Sequence, residues 1–108
     1  MSGWRITSAV FNGGTEEIKR LIGKRVRTKR DLLDFPLHDP ARPLPGKRTV
    51  PSGAIGFVAN PYRDGVLLAF PDKPGAACMT LDALARQHAF YVVFVNQPTF
   101  KSQFEIEA

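Results

Sequence analysis

The chain has 108 residues, 44% of them hydrophobic and 23% charged, with nine Gly, nine Pro, one Cys and a formal net charge of +5. That length gives one domain burying roughly two-thirds of its unfolded surface, and the composition argues against disorder. A lone Cys78 excludes an intrachain disulfide and fits a reducing compartment. The first residues lack a secretory apolar region, and the longest apolar run, residues 89–95, is too short to span a bilayer. We therefore expect a cytoplasmic protein with no membrane partner.

Residues 4–11 alternate loosely, with Trp4, Ile6 and Val10 on one side, and predict a first strand ending at the Asn12-Gly13-Gly14 turn. Thr15 is a natural N-cap, Glu16 and Glu17 suit the positive end of a helix dipole, and Lys19 and Arg20 suit its negative end. Gly23 then stands as the residue that ends a two-turn helix over 16–22, whose Ile18, Leu21 and Ile22 share one face.

From Lys24 to Arg30 the period becomes two. If Val26 and Thr28 face the core, Arg25, Arg27 and Lys29 form a ridge on the opposite face, spaced roughly 6.7 Å apart. Asp31 to Phe35 either continue this strand or close it with a turn. Residues 36–48 hold Pro36, Pro40, Pro43 and Pro45, which cannot donate to a strand ladder, so they predict a long surface loop and a contact surface.

Residues 54–59 and 66–70 are the strongest strand predictions, joined by the turn chemistry of Asn60-Pro61 and Asp64-Gly65. A second turn follows at 71–75, a short strand at 76–79, and a helical turn capped by Thr80 and carrying Leu81, Leu84 and Ala85. Residues 90–95 predict another strand. Phe100, Ser102, Phe104 and Ile106 alternate with Lys101, Gln103 and Glu105, which predicts a C-terminal edge strand within 98–108.

The series Gly23-Lys24-Arg25-Val26-Arg27, Pro51-Ser52-Gly53-Ala54-Ile55-Gly56-Phe57-Val58 and Gly65-Val66-Leu67-Leu68-Ala69-Phe70 resembles small SH3-like β-barrels. The likeness is to the KOW type, the nitrile hydratase β-subunit type and the plasmid type II dihydrofolate reductase type, over about residues 22–95. It implies a mainly β, bent antiparallel barrel with one or two short helices, a single domain over 1–108 with an N-terminal extension (1–22). Gly53 and Gly56 would be the sharp-turn and close-packing glycines, and 36–48 would be the long first loop. The reductase type builds its catalytic pore from Val-Gln-Ile-Tyr, and here the corresponding stretch is Ala76-Ala77-Cys78-Met79-Thr80. The nitrile hydratase type keeps its metal ligands on the partner subunit, which implies an accessory role. KOW-type barrels commonly bind RNA or protein.

Charge is local. Lys19, Arg20, Lys24, Arg25, Arg27, Lys29 and Arg30 fall in one stretch without an acidic residue, and Arg42, Lys47 and Arg48 lie in or beside the proline-rich segment. These ten are the candidate contacts to an anionic partner, nucleic acid or an acidic protein surface. About six phosphate contacts would weaken binding roughly a thousandfold between 50 and 200 mM salt. A solvated strand face that keeps a small basic protein in solution accounts for the same residues. Tyr62 and Phe35 are too scattered to form a base-stacking platform, while Phe57 and Phe70 read as core.

The other chemistry is thinner. Residues 40–45 contain a PxxP unit with Arg42, the composition read by SH3 domains, and a stiffened surface loop explains it as well. His38, His88 and Cys78 are the soft-ligand or nucleophile candidates, with no third and fourth ligand spaced for zinc. The carboxylates form no pair that would act as acid and base. The sequence thus predicts a binding module rather than an enzyme, with no cofactor and no metal. The competing prediction is an accessory or self-associating protein that pairs through 90–95 or the 100–106 tail, as a homo-oligomer or with a partner protein.

Overall fold

The structure, a computed structural model, describes residues 4–6, 15–39, 42–73, 80–87 and 89–107. Its strands are β1 (Trp4–Ile6), β2 (Arg25–Thr28), β3 (Leu32–Asp39), β4 (Arg42–Val50), β5 (Ile55–Tyr62), β6 (Gly65–Pro71), β7 (Phe90–Asn96) and β8 (Phe104–Glu107). Its helices are α1 (Thr15–Leu21), α2 (Leu81–Gln87) and α3 (Gln97–Gln103). Among the described residues the strands form one sheet in the order β1-β8-β2-β5-β6-β7-β3-β4, every pair antiparallel. The chain is mainly β, as expected. A closed barrel would need the two end strands to meet, and β1 and β4 do not pair, so the sheet is open among the described residues.

Alternation within the strands builds two cores. One face carries Val26, Val58, Val66, Leu68, Phe70, Val93, Val95, Phe104 and Ile106, closed by Ile18 of α1 and Phe100 of α3. The other face carries Phe57, Leu67, Ala69 and Val92, covered by Leu84 of α2 with Leu81 packed beside it. β6 is therefore buried on both faces, which is why its sequence runs Val-Leu-Leu-Ala-Phe without a polar residue.

Several sequence expectations hold. α1 forms where the charge pattern places it, and Gly23 and Gly53 stand at positive φ, +85° and +77°, as their turns require. Gly23 N–H donates to Val58 O at 2.8 Å and Val58 N–H to Lys24 O at 3.0 Å, tying the end of α1 to β5. Gly56 is the close-packing glycine: a Cβ there would lie 2.6 Å from the Ala69 carbonyl oxygen and 2.6 Å from Phe70 Cδ1. Thr80 caps α2, its Oγ1 accepting from Ala83 N–H at 3.0 Å.

Others change. Residues 36–39 and 42–48 are not loop: they belong to β3 and β4, which pair from Leu32↔Val50 to Asp39↔Arg42 through two irregularities. Pro43 and Pro45 are tolerated because β4 is an edge strand. Pro36 is tolerated because β3 pairs with β7 only at Leu37 and His38, so no ladder bond to β7 is lost. The turn expected over 60–65 shrinks to Arg63 and Asp64, since β5 continues through Pro61 and Tyr62 beyond a bulge at Ala59. β2 reaches only Phe57 on β5, so Pro61 interrupts no pairing with β2.

The expected C-terminal strand over 98–108 is mostly helix. Asn96 caps α3 by accepting from Thr99 N–H at 2.9 Å, and Pro98 sits in its first turn, so only Phe104–Glu107 pair as β8. β8 lies between β2 and β1 and is not an edge. The expected first strand is present at Trp4–Ile6, while its continuation over 7–11, the 12–14 turn and the short strand at 76–79 lie outside the described residues.

Candidate anion-binding surface

The basic ridge forms as the period predicts, and its members differ in what they are left to do. Val26 and Thr28 are buried while Arg25 and Arg27 are partly exposed on the outer side of β2. Arg27 stands opposite Glu105 of β8 and donates to Glu105 Oε1 from Nε at 2.9 Å and from Nη2 at 2.6 Å. Its charge is therefore neutralised within the sheet. Lys29 begins the turn into β3; its Nζ donates to Ser102 O at 3.2 Å and its backbone N–H to Gln103 O at 2.9 Å. That places a cation on the last carbonyls of α3, where the helix dipole favours one.

Arg20 and Lys24 are exposed at and just beyond the end of α1, with Lys19 also exposed beside them, and Arg30 is exposed in the β2–β3 turn. Asp31 ends the basic run, its Oδ1 accepting from Ser52 N–H at 2.7 Å. Buried Thr28 fixes the same corner: its Oγ1 donates to Pro51 O at 2.7 Å and accepts from Ala54 N–H at 3.0 Å. The turns at 29–31 and 51–54 are thus clipped together, and Lys29 and Arg30 stand on a fixed backbone.

The proline-rich candidates do not join this surface in sheet order. Four strands, β5, β6, β7 and β3, separate β4 from β2. The backbone of Arg42 stands opposite that of Asp39 at the far end of the hairpin, and Lys47 is exposed opposite Pro36. Arg48 is occupied: its Nη1 contacts Asp72 Oδ1 at 2.5 Å, and its guanidinium lies 3.9 Å from the centre of the Tyr91 ring. Burial pushes the Tyr91 phenol above its usual pKa, partly offset by the attraction of Arg48, with Asp72 adding to the rise. Arg48 thus fastens β4 to the start of the β6–β7 connection while its side chain stays partly exposed.

His38 is buried, its ring meeting Tyr62 edge-on with centroids 4.5 Å apart, and Tyr62 meets Phe94 at 5.9 Å. His38 is a core histidine in an aromatic row that the separation of these residues in sequence concealed. His88 and Cys78 lie outside the described residues. Among the described residues no three His, Cys, Asp or Glu side chains are grouped to hold a metal ion, and no helix is long and apolar enough to cross a membrane. Phe57 and Phe70 are buried, as expected.

The chain matches no protein-family model, no curated protein and no solved structure. β7, which holds the 90–95 segment expected as a self-association candidate, lies between β6 and β3; β6 pairs along its whole length, and β3 pairs with it only at Val92 and Val93.

Proposed function

We propose that this chain is a non-catalytic binding module that holds the phosphate backbone of a nucleic acid against the β2 side of an SH3-like barrel. The all-antiparallel sheet, the close packing at Gly56 and the β3–β4 hairpin standing where such barrels carry a long first connection support that fold reading. The observation that carries the function is the exposure of Arg20, Lys24, Lys29 and Arg30 within residues 20–30, a span without an acidic residue. Anion binding needs several cations on one side of a rigid scaffold, and the clipped turns supply the rigidity.

Removing Arg27 and Arg48 from the candidate contacts lowers the expected salt dependence. With about four phosphates engaged, affinity falls roughly a hundredfold between 50 and 200 mM salt. The test is a fluorescence-anisotropy titration of labelled single-stranded RNA and double-stranded DNA at those two concentrations. Lys24→Glu with Arg30→Glu should abolish binding while the thermal transition stays put. A wild-type protein that binds neither probe at the lower salt overturns the reading.

A further inference from the structure

The C-terminal helix and the β2–β3 turn meet at one corner of the molecule, although 73 residues separate Lys29 from Ser102. Two hydrogen bonds make the junction, Lys29 N–H to Gln103 O at 2.9 Å and Lys29 Nζ to Ser102 O at 3.2 Å. Lys101 is the residue before Ser102, with consecutive Cα atoms about 3.8 Å apart. It lies in the last turn of α3 and is partly exposed. Lys29, Arg30 and Lys101 are therefore brought to one corner by two elements far apart in the chain, beside two carboxylates that are already engaged, Asp31 by Ser52 N–H and Glu105 by Arg27.

We infer that this corner is a nucleic-acid backbone clamp in which Lys101 is a phosphate-binding residue alongside Lys29 and Arg30. The inference rests on the phosphate-binding reading above and names where the backbone is gripped. The residues placed at this corner, Lys29, Arg30, Lys101, Ser102 and Gln103, have cations, hydroxyl and amide groups and no ring to stack on a base. Such a set contacts phosphate and sugar, which fix position without reading sequence. The clamp is thus indifferent to base identity. Its rigidity comes from the same bonds that assemble it: Lys29 ties the turn to α3, and Phe100, one residue before Lys101, is anchored in the core.

Lys29 itself is a poor probe because its removal also loosens the corner. Lys101 makes the cleaner test, as Lys101→Gln, which removes the charge and leaves a polar side chain one atom shorter, and as Lys101→Glu. Lys73, exposed in the β6–β7 connection, supplies the control Lys73→Glu with an equal charge change elsewhere. Anisotropy titrations of labelled oligo-U and oligo-A across a salt series read the affinity and its slope. We expect Lys101→Glu to weaken binding by about tenfold or more at low salt, and Lys101→Gln to reduce the salt slope by about one. Lys73→Glu should change affinity less than about threefold, and the two oligomers should bind within about threefold of each other. A wild type that binds while Lys101→Gln and Lys101→Glu match Lys73→Glu overturns the clamp and leaves the broader reading standing. A strong preference between the two oligomers overturns the base-indifferent clamp. A wild type that binds neither oligomer removes both proposals.

Discussion

Arg27 of β2 and Glu105 of β8 stand directly opposite each other, and the guanidinium donates twice to one carboxylate oxygen, at 2.9 and 2.6 Å. The pair is partly exposed, so its contribution to stability is modest, about 0.2–1 kcal/mol and weaker in salt. Arg27→Glu places two carboxylates across the strand pair and should lower stability by about 1 kcal/mol. Arg27→Glu with Glu105→Arg should recover most of that loss. Urea unfolding of the single and double variants checks it; equal stability of all of them would show that the pair contributes nothing.

Thr28 is the hub of the corner that carries Lys29 and Arg30. Its hydroxyl joins Pro51 O at 2.7 Å and Ala54 N at 3.0 Å in a buried site. Thr28→Val keeps the shape and deletes both bonds, so unfolding free energy should fall by about 1–2 kcal/mol. Amide exchange at Ser52, Gly53 and Ala54 should quicken more than in β6. Uniform exchange across the sheet would show that Thr28 has no local role.

Leu84 should be the residue whose loss uncovers the outer face. It is fully buried among Phe57, Leu67, Ala69 and Val92 and is the main apolar anchor of α2. Leu84→Ala should cost about 2–5 kcal/mol through lost burial and the cavity left behind. Thr80→Ala, which removes only the cap, should cost about 1 kcal/mol. Thermal melts of both variants test the ordering, and a larger loss for the cap than for the anchor would contradict it.

How legible this was in the sequence depended on whether the deciding interaction was local. The α1 signals, the alternation of Arg25, Val26, Arg27 and Thr28, and the apolar run of β6 were readable because each is set by neighbours within a few residues. Proline misled twice. It forbids a ladder bond only where a partner strand lies on that side, and the sequence does not say that β4 is an edge or that β2 stops at Phe57 on β5. In the C-terminal segment two signals competed. The alternation of Phe100, Ser102, Phe104 and Ile106 predicts a strand, but in the structure the Asn96 cap with Pro98 in the first turn carries a helix through Gln103, a signal the strand reading left unused. Within the candidate site the cations themselves were readable, but their partners were not. Glu105 for Arg27, Asp72 for Arg48 and the α3 carbonyls for Lys29 all come from distant segments.

Tyr91 should make the fold sensitive to alkaline pH. Burial is the main cause that raises its pKa above the ordinary value of 10.0, because the phenolate would lose its hydration. The folded state then keeps the proton in a range where the unfolded chain has released it. Unfolding in that range releases protons, so stability falls as pH rises. The contribution is fully present below about pH 10 and is lost as pH climbs through the higher folded-state value. Tyr91→Phe removes this proton, so the variant's stability should fall less steeply above pH 10 than that of the wild type. Arg48→Ala acts in the opposite direction on the phenol, since the guanidinium 3.9 Å from the ring centre attracts the phenolate and holds its pKa down. Ultraviolet titration of the phenolate should therefore show Tyr91 ionising at still higher pH in Arg48→Ala. Identical alkaline stability curves for wild type and Tyr91→Phe would show that the phenol is not the linked group.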